Sequence, residues 1–306
     1  MKSVFVLILN FNGAKNTLEC LESLKKINLP DVKLTILIVD NNSQEKLDLR
    51  NETAGKIKIE VIKNKENLGF SGGNNVGIQY ALKNNADYVL ILNNDTYVDP
   101  NFLTELLKVA EKDRSIGISV PKIYFAPGFE YHKNRYAKEQ LGKVIWYAGG
   151  KMDWKNIIGS NREVDEVDKG QFNKIEETEI ATGCCMLIKK EVLEEAGNFD
   201  GKFFLYYEDA DLAMRVKNKG FKIVYVPKSV IWHKNAGSTG GSGSVLQDYY
   251  IARNRLLFGF KYAPIRSKLA LFRESVSLLF RGRKWQRRGV IDFYLERFGK
   301  GSYKTE

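Results

Sequence analysis

Tyr88-Val89-Leu90-Ile91-Leu92-Asn93-Asn94-Asp95 is an unbroken apolar run that stops abruptly in three polar residues. Such a run is too short for a buried helix and predicts a strand covered on both faces, as in a parallel sheet. The same figure occurs twice upstream. Residues 4–9 run into Asn10, Phe11 and Asn12, and residues 34–39 run into Asp40-Asn41-Asn42-Ser43. Between those two strands Leu18, Leu21, Leu24 and Ile27 recur at helical spacing, with Pro30 at the exit. Ile57, Ile59 and Val61 alternate as a third strand, and the Gly-rich turn Asn67-Leu68-Gly69-Phe70-Ser71-Gly72-Gly73-Asn74 opens a helix that runs through Leu82. Strands alternating with helices predict an α/β fold whose mostly parallel central sheet is flanked by helices. Ligands of such sheets bind outside the carboxyl ends of the strands. The polar clusters at 10–12, 40–43 and 93–95 are therefore expected to converge on one crevice.

Beyond residue 101 the pattern weakens. A helix is expected over 102–111, a short strand near 116–120, loops or hairpins over 129–143 and 165–174, and an apolar strand over 180–188. A short helix near 191–196 follows, then a helix from Asp209 to Lys219 with Gly220 as its cap, and a last strand over 221–226. Gly237-Ser238-Thr239-Gly240-Gly241-Ser242-Gly243-Ser244 reads as a flexible loop. Three cysteines, Cys20, Cys184 and Cys185, are an odd number without metal-ligand spacing; a reducing, cytosolic setting is expected. No apolar run approaches the roughly 18 residues of a spanning helix, and the run at 4–9 is too short for a signal peptide.

The 306 residues carry a net charge of +11, but it is concentrated. Residues 261–306 hold twelve Lys and Arg against four Asp and Glu, a net +8, while the remainder nearly balances. This argues against nucleic acid lying along a whole basic face and for a local anionic partner such as lipid headgroups. Ile265, Leu269, Phe272, Val276 and Leu279 form one helical stripe flanked by Arg266, Lys268, Arg273 and Arg281, with Trp285 beyond. A basic amphipathic helix of this kind suits an anionic bilayer surface; the alternative is a helix packed on the main domain with a solvated basic face.

Five features could carry chemistry. Asp95, at a strand end beside two Asn, could hold a divalent cation that bridges phosphates, or could simply cap an Asx-turn. Glu208, Asp209 and Asp211 crowd into four positions behind the aromatic run Phe203-Phe204-Leu205-Tyr206-Tyr207. A helix cap accounts for one of them; the crowding should raise at least one carboxyl's pKa, which suits a general base. His233 precedes the Gly/Ser loop and could contact a metal or phosphate. The Asn67–Asn74 loop could bring N–H groups to an anion, and Arg253 and Arg255 could reach phosphates from a helix. Cys184 and Cys185 read as small core residues.

In this order the motifs resemble glycosyltransferase family 2, the inverting nucleotide-sugar transferases of GT-A fold, and within it the rhamnosyltransferase-like members. The resemblance rests on Leu9-Asn10-Phe11-Asn12-Gly13, Val39-Asp40-Asn41-Asn42-Ser43, the Asn67–Gly77 glycine pattern and Leu92-Asn93-Asn94-Asp95. It continues through Ala181-Thr182-Gly183, Phe203 to Leu212, Trp232-His233 and Arg253-Asn254. It implies that Leu9, Asn10, Asn12, Asp40, Asn41, Asn67, Gly69, Phe70, Gly73 and Asn74 hold the nucleotide, with Asn93, Asn94 and Asp95 as the DxD-like element. Asp95 and His233 would bind Mg²⁺ or Mn²⁺, Arg253 would touch the diphosphate, Asp209 would be the general base, and Glu208 and Asp211 would serve the acceptor. Where the family's element has its first carboxylate this chain has Asn93, which leaves less negative charge for the cation.

The resemblance also implies one transferase domain over 1–262, divided into a nucleotide half (1–100), an acceptor half (101–235) and an active-site loop (236–246), with a basic tail over 263–306. The expected reaction moves a sugar from a dTDP- or UDP-sugar to a saccharide or lipid-linked saccharide for surface polysaccharide. Its expected setting is the cytoplasmic face of the membrane, and a homodimer stays open. A sugar nucleotidyltransferase is a rival of the same sheet architecture, but it would carry a basic Gly-rich loop directly after the first strand. A nucleic-acid-binding protein using the tail would show a steep salt dependence with duplexes. A catalytically dead glycan-binding relative fits less well with Asp209 retained.

Overall fold

The computed structural model describes residues 1–29, 31–49, 57–132, 134–235 and 243–303. Its first half follows the alternation read above: β1 (Lys2–Asn10), α1 (Ala14–Leu24), β2 (Val32–Asp40), β3 (Lys58–Lys63), α2 (Gly69–Lys83) and β4 (Tyr88–Asn93). Next come β5 (Thr96–Val98), α3 (Phe102–Lys112), β6 (Ile116–Phe125), β7 (Ile145–Tyr147), the hairpin β8 (Gly150–Asp153) and β9 (Ile158–Asn161), and β10 (Glu176–Glu177). The chain then forms β11 (Cys185–Lys189), α4 (Lys190–Glu195), α5 (Glu208–Asn218), β12 (Lys222–His233), α6 (Val245–Tyr262), α7 (Ile265–Arg281) and α8 (Lys284–Tyr294).

The main sheet has the order β10-β12-β6-β11-β4-β1-β2-β3. β3, β2, β1, β4, β6 and β12 all run the same way, and β11 is inserted antiparallel between β4 and β6. Central strands β1, β2 and β4 are buried on both faces, which is why their sequences show no polar alternation. β3 lies at the edge, and there Val61 is exposed.

One expectation changes. The last strand does not end at 226: β12 continues to His233, with a register shift between Val226 and Val230 that takes up Pro227. Proline removes a ladder donor, so the strand survives it only at such an irregularity. The extension carries Trp232 and His233 alongside β5, opposite Tyr97 and Thr96. The tail, for its part, is two helices that pack back on α6, with Leu271 and Val290 buried against Leu256 and Phe258. A Cβ on Gly289 would lie 2.4 Å from the Tyr249 carbonyl, so α8 and α6 touch backbone to backbone. Pro30 and residues 236–242, most of the loop expected to close over a ligand, lie outside the described residues.

Candidate active site

A cleft of about 360 Å³ opens at the carboxyl ends of β1, β2 and β4. Leu9, Asn41, Asn67, Gly69 and Phe70 line one side, Asn93, Asn94, Asp95 and His233 the floor, and Glu208 and Asp209 the opposite wall. These are the expected residues that the fold brings together.

The first side is built on an amide network. Asn41 donates to Asn67 Oδ1 (2.9 Å) and the Gly69 carbonyl (3.1 Å), and its Oδ1 accepts from Asn64 Nδ2 (2.9 Å) and the Leu68 N–H (3.1 Å). This one buried side chain ties the end of β2 to the turn that opens α2. Asn41→Ala should cost about 2–3 kcal/mol through the partners it leaves unsatisfied; urea unfolding would measure it. Gly69 has φ +71°, and a Cβ there would lie 2.5 Å from the Phe204 carbonyl, so the turn admits only glycine where it meets the opposite wall.

Several expected donor contacts stand behind the cleft rather than in it. Asn10 is fully buried; it donates to Asp40 (3.0 Å) and Ser43 (3.1 Å) and accepts from Thr17 (2.9 Å). Asn10 is thus held beneath the floor, with Asp40 Oδ1 as one of its three partners. Asn12 is exposed at φ +51°, and its side chain caps the Gln44 N–H. Gly73 exists for packing: a Cβ would lie 2.4 Å from Leu9 Cδ1. Asn74 bonds back to the Phe70 carbonyl within α2.

Asp211 does not face an acceptor. It is fully buried, accepting from Arg215 (2.8 Å), Lys261 (2.6 Å) and Tyr262 (2.8 Å). Residues two apart on a helix point about 200° apart, so Asp209 and Asp211 cannot share a face. Nor does Arg253 reach the cleft. It is fully buried in α6 and spends its N–H groups on main-chain carbonyls and Asn254. Arg255 pairs with Glu274 of α7.

Asp95 Oδ1 and His233 Nε2 are 3.1 Å apart, and His233 Nδ1 is buried without a hydrogen-bond partner. Two cis ligands of an octahedral ion at about 2.1 Å stand about 3.0 Å apart, so this separation fits Mg²⁺ or Mn²⁺, and the imidazole favours Mn²⁺ of the two. Among the described residues no three His, Cys, Asp or Glu could cage a metal. The pair suits an ion that takes its other ligands from phosphate and water.

On the opposite wall burial pushes the Glu208 carboxyl well up, with the charge of Asp209 adding to the effect, and its Oε2 has no partner. Burial also raises Asp209, but the N–H groups of Gly183 (3.2 Å) and Ala210 (2.8 Å) point at it and hold it back. Asp209 is therefore the member of the pair that ionises first. The chain reaches these carboxyls through Phe204, Tyr206 and Tyr207, all in the left-handed region at φ +64°, +69° and +71°. Each costs of order 1–3 kcal/mol for a non-glycine residue.

Trp146, Asn235 and Gln247 also line the cleft and were not expected. The Trp146 ring meets that of His233 edge to face at 4.6 Å. It comes from the short apolar run Val144-Ile145-Trp146-Tyr147-Ala148, between the two stretches expected as loops or hairpins, and that run was the available signal.

Comparison with known proteins identifies relatives of the chain and its fold. The chain is 26% identical over 222 residues to the low-salt glycan biosynthesis hexosyltransferase Agl10 of Haloferax volcanii, covering 72% of this chain and 66% of that one. It is 27% identical over 159 residues to the N-acetylglucosaminyl-diphospho-decaprenol L-rhamnosyltransferase of Mycobacterium tuberculosis, covering 50% and 49%. The chain thus spans under two thirds of the length of the first of these relatives and about half of the second. Its fold is that of GalNAc-T7, solved with UDP, GalNAc and Mn²⁺, at a TM-score of 0.62 and 19% identity over 97% of this chain and 58% of that one. The glycosyl transferase family 2 model matches residues 5–197, more than half of the chain. The chain belongs to glycosyl transferase family 2.

Proposed function

We propose that this chain is an inverting hexosyltransferase. It moves rhamnose or another hexose from a dTDP- or UDP-sugar to a saccharide or lipid-linked saccharide in surface polysaccharide assembly. The observation that carries this reading is the sharing of one cleft by the Asp95–His233 pair and the Glu208–Asp209 pair. Asp209 takes the proton of the acceptor hydroxyl as its oxygen bonds to the anomeric carbon. The bond to the diphosphate breaks on the far side, so the configuration inverts. Asp95 and His233 would hold a divalent cation, whose charge would offset that of the leaving diphosphate. A lipid-linked acceptor fits the name of the mycobacterial relative. The test is a thermal-shift screen of nucleoside diphosphates with Mn²⁺, followed by turnover of the hexose form of the best binder. A rise in Tm with UDP or dTDP that requires the cation is expected; no response to any diphosphate would overturn the reading.

The acceptor's setting is the inner face of the cell membrane, reached through α7. Among the described residues no helix is long and apolar enough to cross a membrane. Ile265, Leu269, Phe272, Val276 and Phe280 are all exposed, at 70, 54, 48, 38 and 80%. α7 packs on α6 and α8 by its other face, through Leu271, Ser275 and Leu278. Arg266, Arg273 and Arg281 beside the stripe are exposed as well. Two copies meeting on this face would bring like charges together, whereas an anionic bilayer complements both the apolar and the basic parts. A triple variant, Ile265→Glu, Phe272→Glu and Phe280→Glu, should lose binding to phosphatidylglycerol vesicles by more than 10-fold, since each buried apolar side chain contributes roughly 1.5–3 kcal/mol. Sedimentation unchanged by the variant, or a wild-type dimer that the variant splits, would refute the bilayer. Substitution is the right tool because removing the tail would uncover Tyr249, Arg253 and Phe258.

A further inference from the structure

We propose that Arg253 and Asn254 are positioning residues: from α6 they hold the backbone of 203–206 in the shape that aims Glu208 and Asp209 into the cleft, and they couple that shape to the C-terminal segment 297–303. The inference rests on the reading of Asp209 as the base.

The two side chains act on main chain. Arg253 Nη2 donates to the carbonyls of Phe203 (3.0 Å) and Lys202 (3.1 Å), and Nη1 to those of Gly299 (2.7 Å) and Arg297 (3.3 Å). Its Nε donates to Asn254 Oδ1 (2.9 Å), which orients the amide. Asn254 Nδ2 faces the carbonyls of Phe203 (2.8 Å), Leu205 (2.7 Å) and Tyr206 (2.9 Å). These carbonyls belong to the stretch whose Phe204, Tyr206 and Tyr207 are left-handed. Its main-chain bonds, Leu205 N–H to the Phe203 carbonyl (2.7 Å) and Ser71 N–H to the Phe204 carbonyl (3.2 Å), form no helix or sheet ladder, so such a backbone persists only where the surroundings over-determine it. Tyr207 immediately precedes α5, and Glu208 and Asp209 are that helix's first two residues. Whatever fixes 203–206 therefore fixes the direction of both carboxyls.

The other end of the link is remote in sequence. Gly299 N–H donates to the Lys202 carbonyl (2.9 Å), and Tyr250 OH to the Lys300 carbonyl (3.1 Å). The Tyr250 ring stacks on Phe204 at 5.1 Å, and Tyr303 packs against Tyr249 and Tyr250. Gly301, at φ +59°, has no room for a side chain: a Cβ would collide with the Tyr249 hydroxyl and stand 2.8 Å from Arg253 Nη1. The guanidinium thus bridges two strands of backbone, one lining the cleft and one at the end of the chain.

The test uses the full chain and two variants. Asn254→Asp removes both amide donors and sets a carboxylate against three carbonyls. Gly301→Ala displaces the guanidinium from the tail side and touches no cleft residue. Each should lower kcat, by about 10²-fold for Asn254→Asp, with the donor KM changed less than about threefold and the acid limb of the kcat–pH profile displaced. Deuterium exchange should rise in peptides spanning 199–211 while β1 and β4 stay protected. That exchange result decides the inference even if the wild type turns over no donor, an outcome that would sink the proposed function instead. Should Asn254→Asp fail to fold, Gly301→Ala carries the test alone. A raised donor KM at unchanged kcat would return Arg253 to the diphosphate and overturn the inference. So would exchange that rises equally across the sheet, or variants that match the wild type in both readouts.

Discussion

Asp209→Asn should abolish most transfer, lowering kcat by about 10²–10⁴-fold, the usual contribution of a positioned base, while the donor's dissociation constant stays near the wild-type value. Asn keeps an oxygen for only one of the two N–H groups that point at Asp209, those of Gly183 and Ala210, and turns its amide toward the other, at the cost of one hydrogen bond. Because burial raises the Asp209 carboxyl, the wild-type acid limb should fall at a higher pH than an ordinary aspartate would give. The same shift sets a stability difference. A carboxyl whose folded pKa lies above its unfolded value of about 3.9 binds its proton more tightly when folded, so stability falls as pH rises between the two values. The stability of Asp209→Asn relative to the wild type should therefore rise from acid to neutral pH, on top of the constant cost of that lost bond, and this pH-dependent part should vanish below about pH 4, where aspartate is protonated in both states. Single-turnover rates and thermal unfolding at several pH values would check both halves. Wild-type turnover in the variant would remove Asp209 from the chemistry.

Asp95→Ala should weaken donor binding in Mn²⁺ by at least roughly 10²-fold, since even outer-shell changes at metal sites cost 10–100-fold. In chelator the variant and the wild type should bind the nucleotide alike, because Asp95 acts through the ion. His233→Ala should follow the same pattern. Calorimetric titration with and without the cation separates the cases. A loss of affinity equal in both conditions would mean that Asp95 shapes the cleft rather than holding an ion. Asn93 beside it supplies an amide where a second carboxylate would bring more charge, so the ion's affinity should be modest without diphosphate and should rise when the diphosphate completes its shell.

Much of this site can be read from residue order. Strands β1, β2 and β4 are buried on both faces, and an apolar run is the sequence form of that environment. Their carboxyl ends carry Asn and Asp where the backbone leaves the sheet and opens on the cleft. The failures share one cause: a motif names neighbours along the chain, not the direction of a side chain. Asn41 faces the cleft while Asn10 is buried behind it against Asp40, Ser43 and Thr17. Asp211 could have been separated from Asp209 by helical rotation alone. Arg253 could have been suspected too, since Tyr249, Tyr250, Leu256 and Phe258 surround it on a helix with few polar positions, where a charged group must find its partners inside the protein.

Residue order alone settles the α/β class, the crevice at the strand ends and the localisation of the basic charge, because each follows from local periodicity or composition. Tertiary structure decides the rest. It inserts β11 antiparallel, carries β12 past Pro227 to bring His233 beside Asp95, and turns Ile265, Leu269, Phe272 and Val276 of the α7 stripe outward while Leu279 packs inward. It also converts Arg253 from an expected ligand contact into a strut. These outcomes depend on which surfaces meet across long stretches of chain, and burial, which fixes a charged side chain's partners and proton affinity, exists only once they have met.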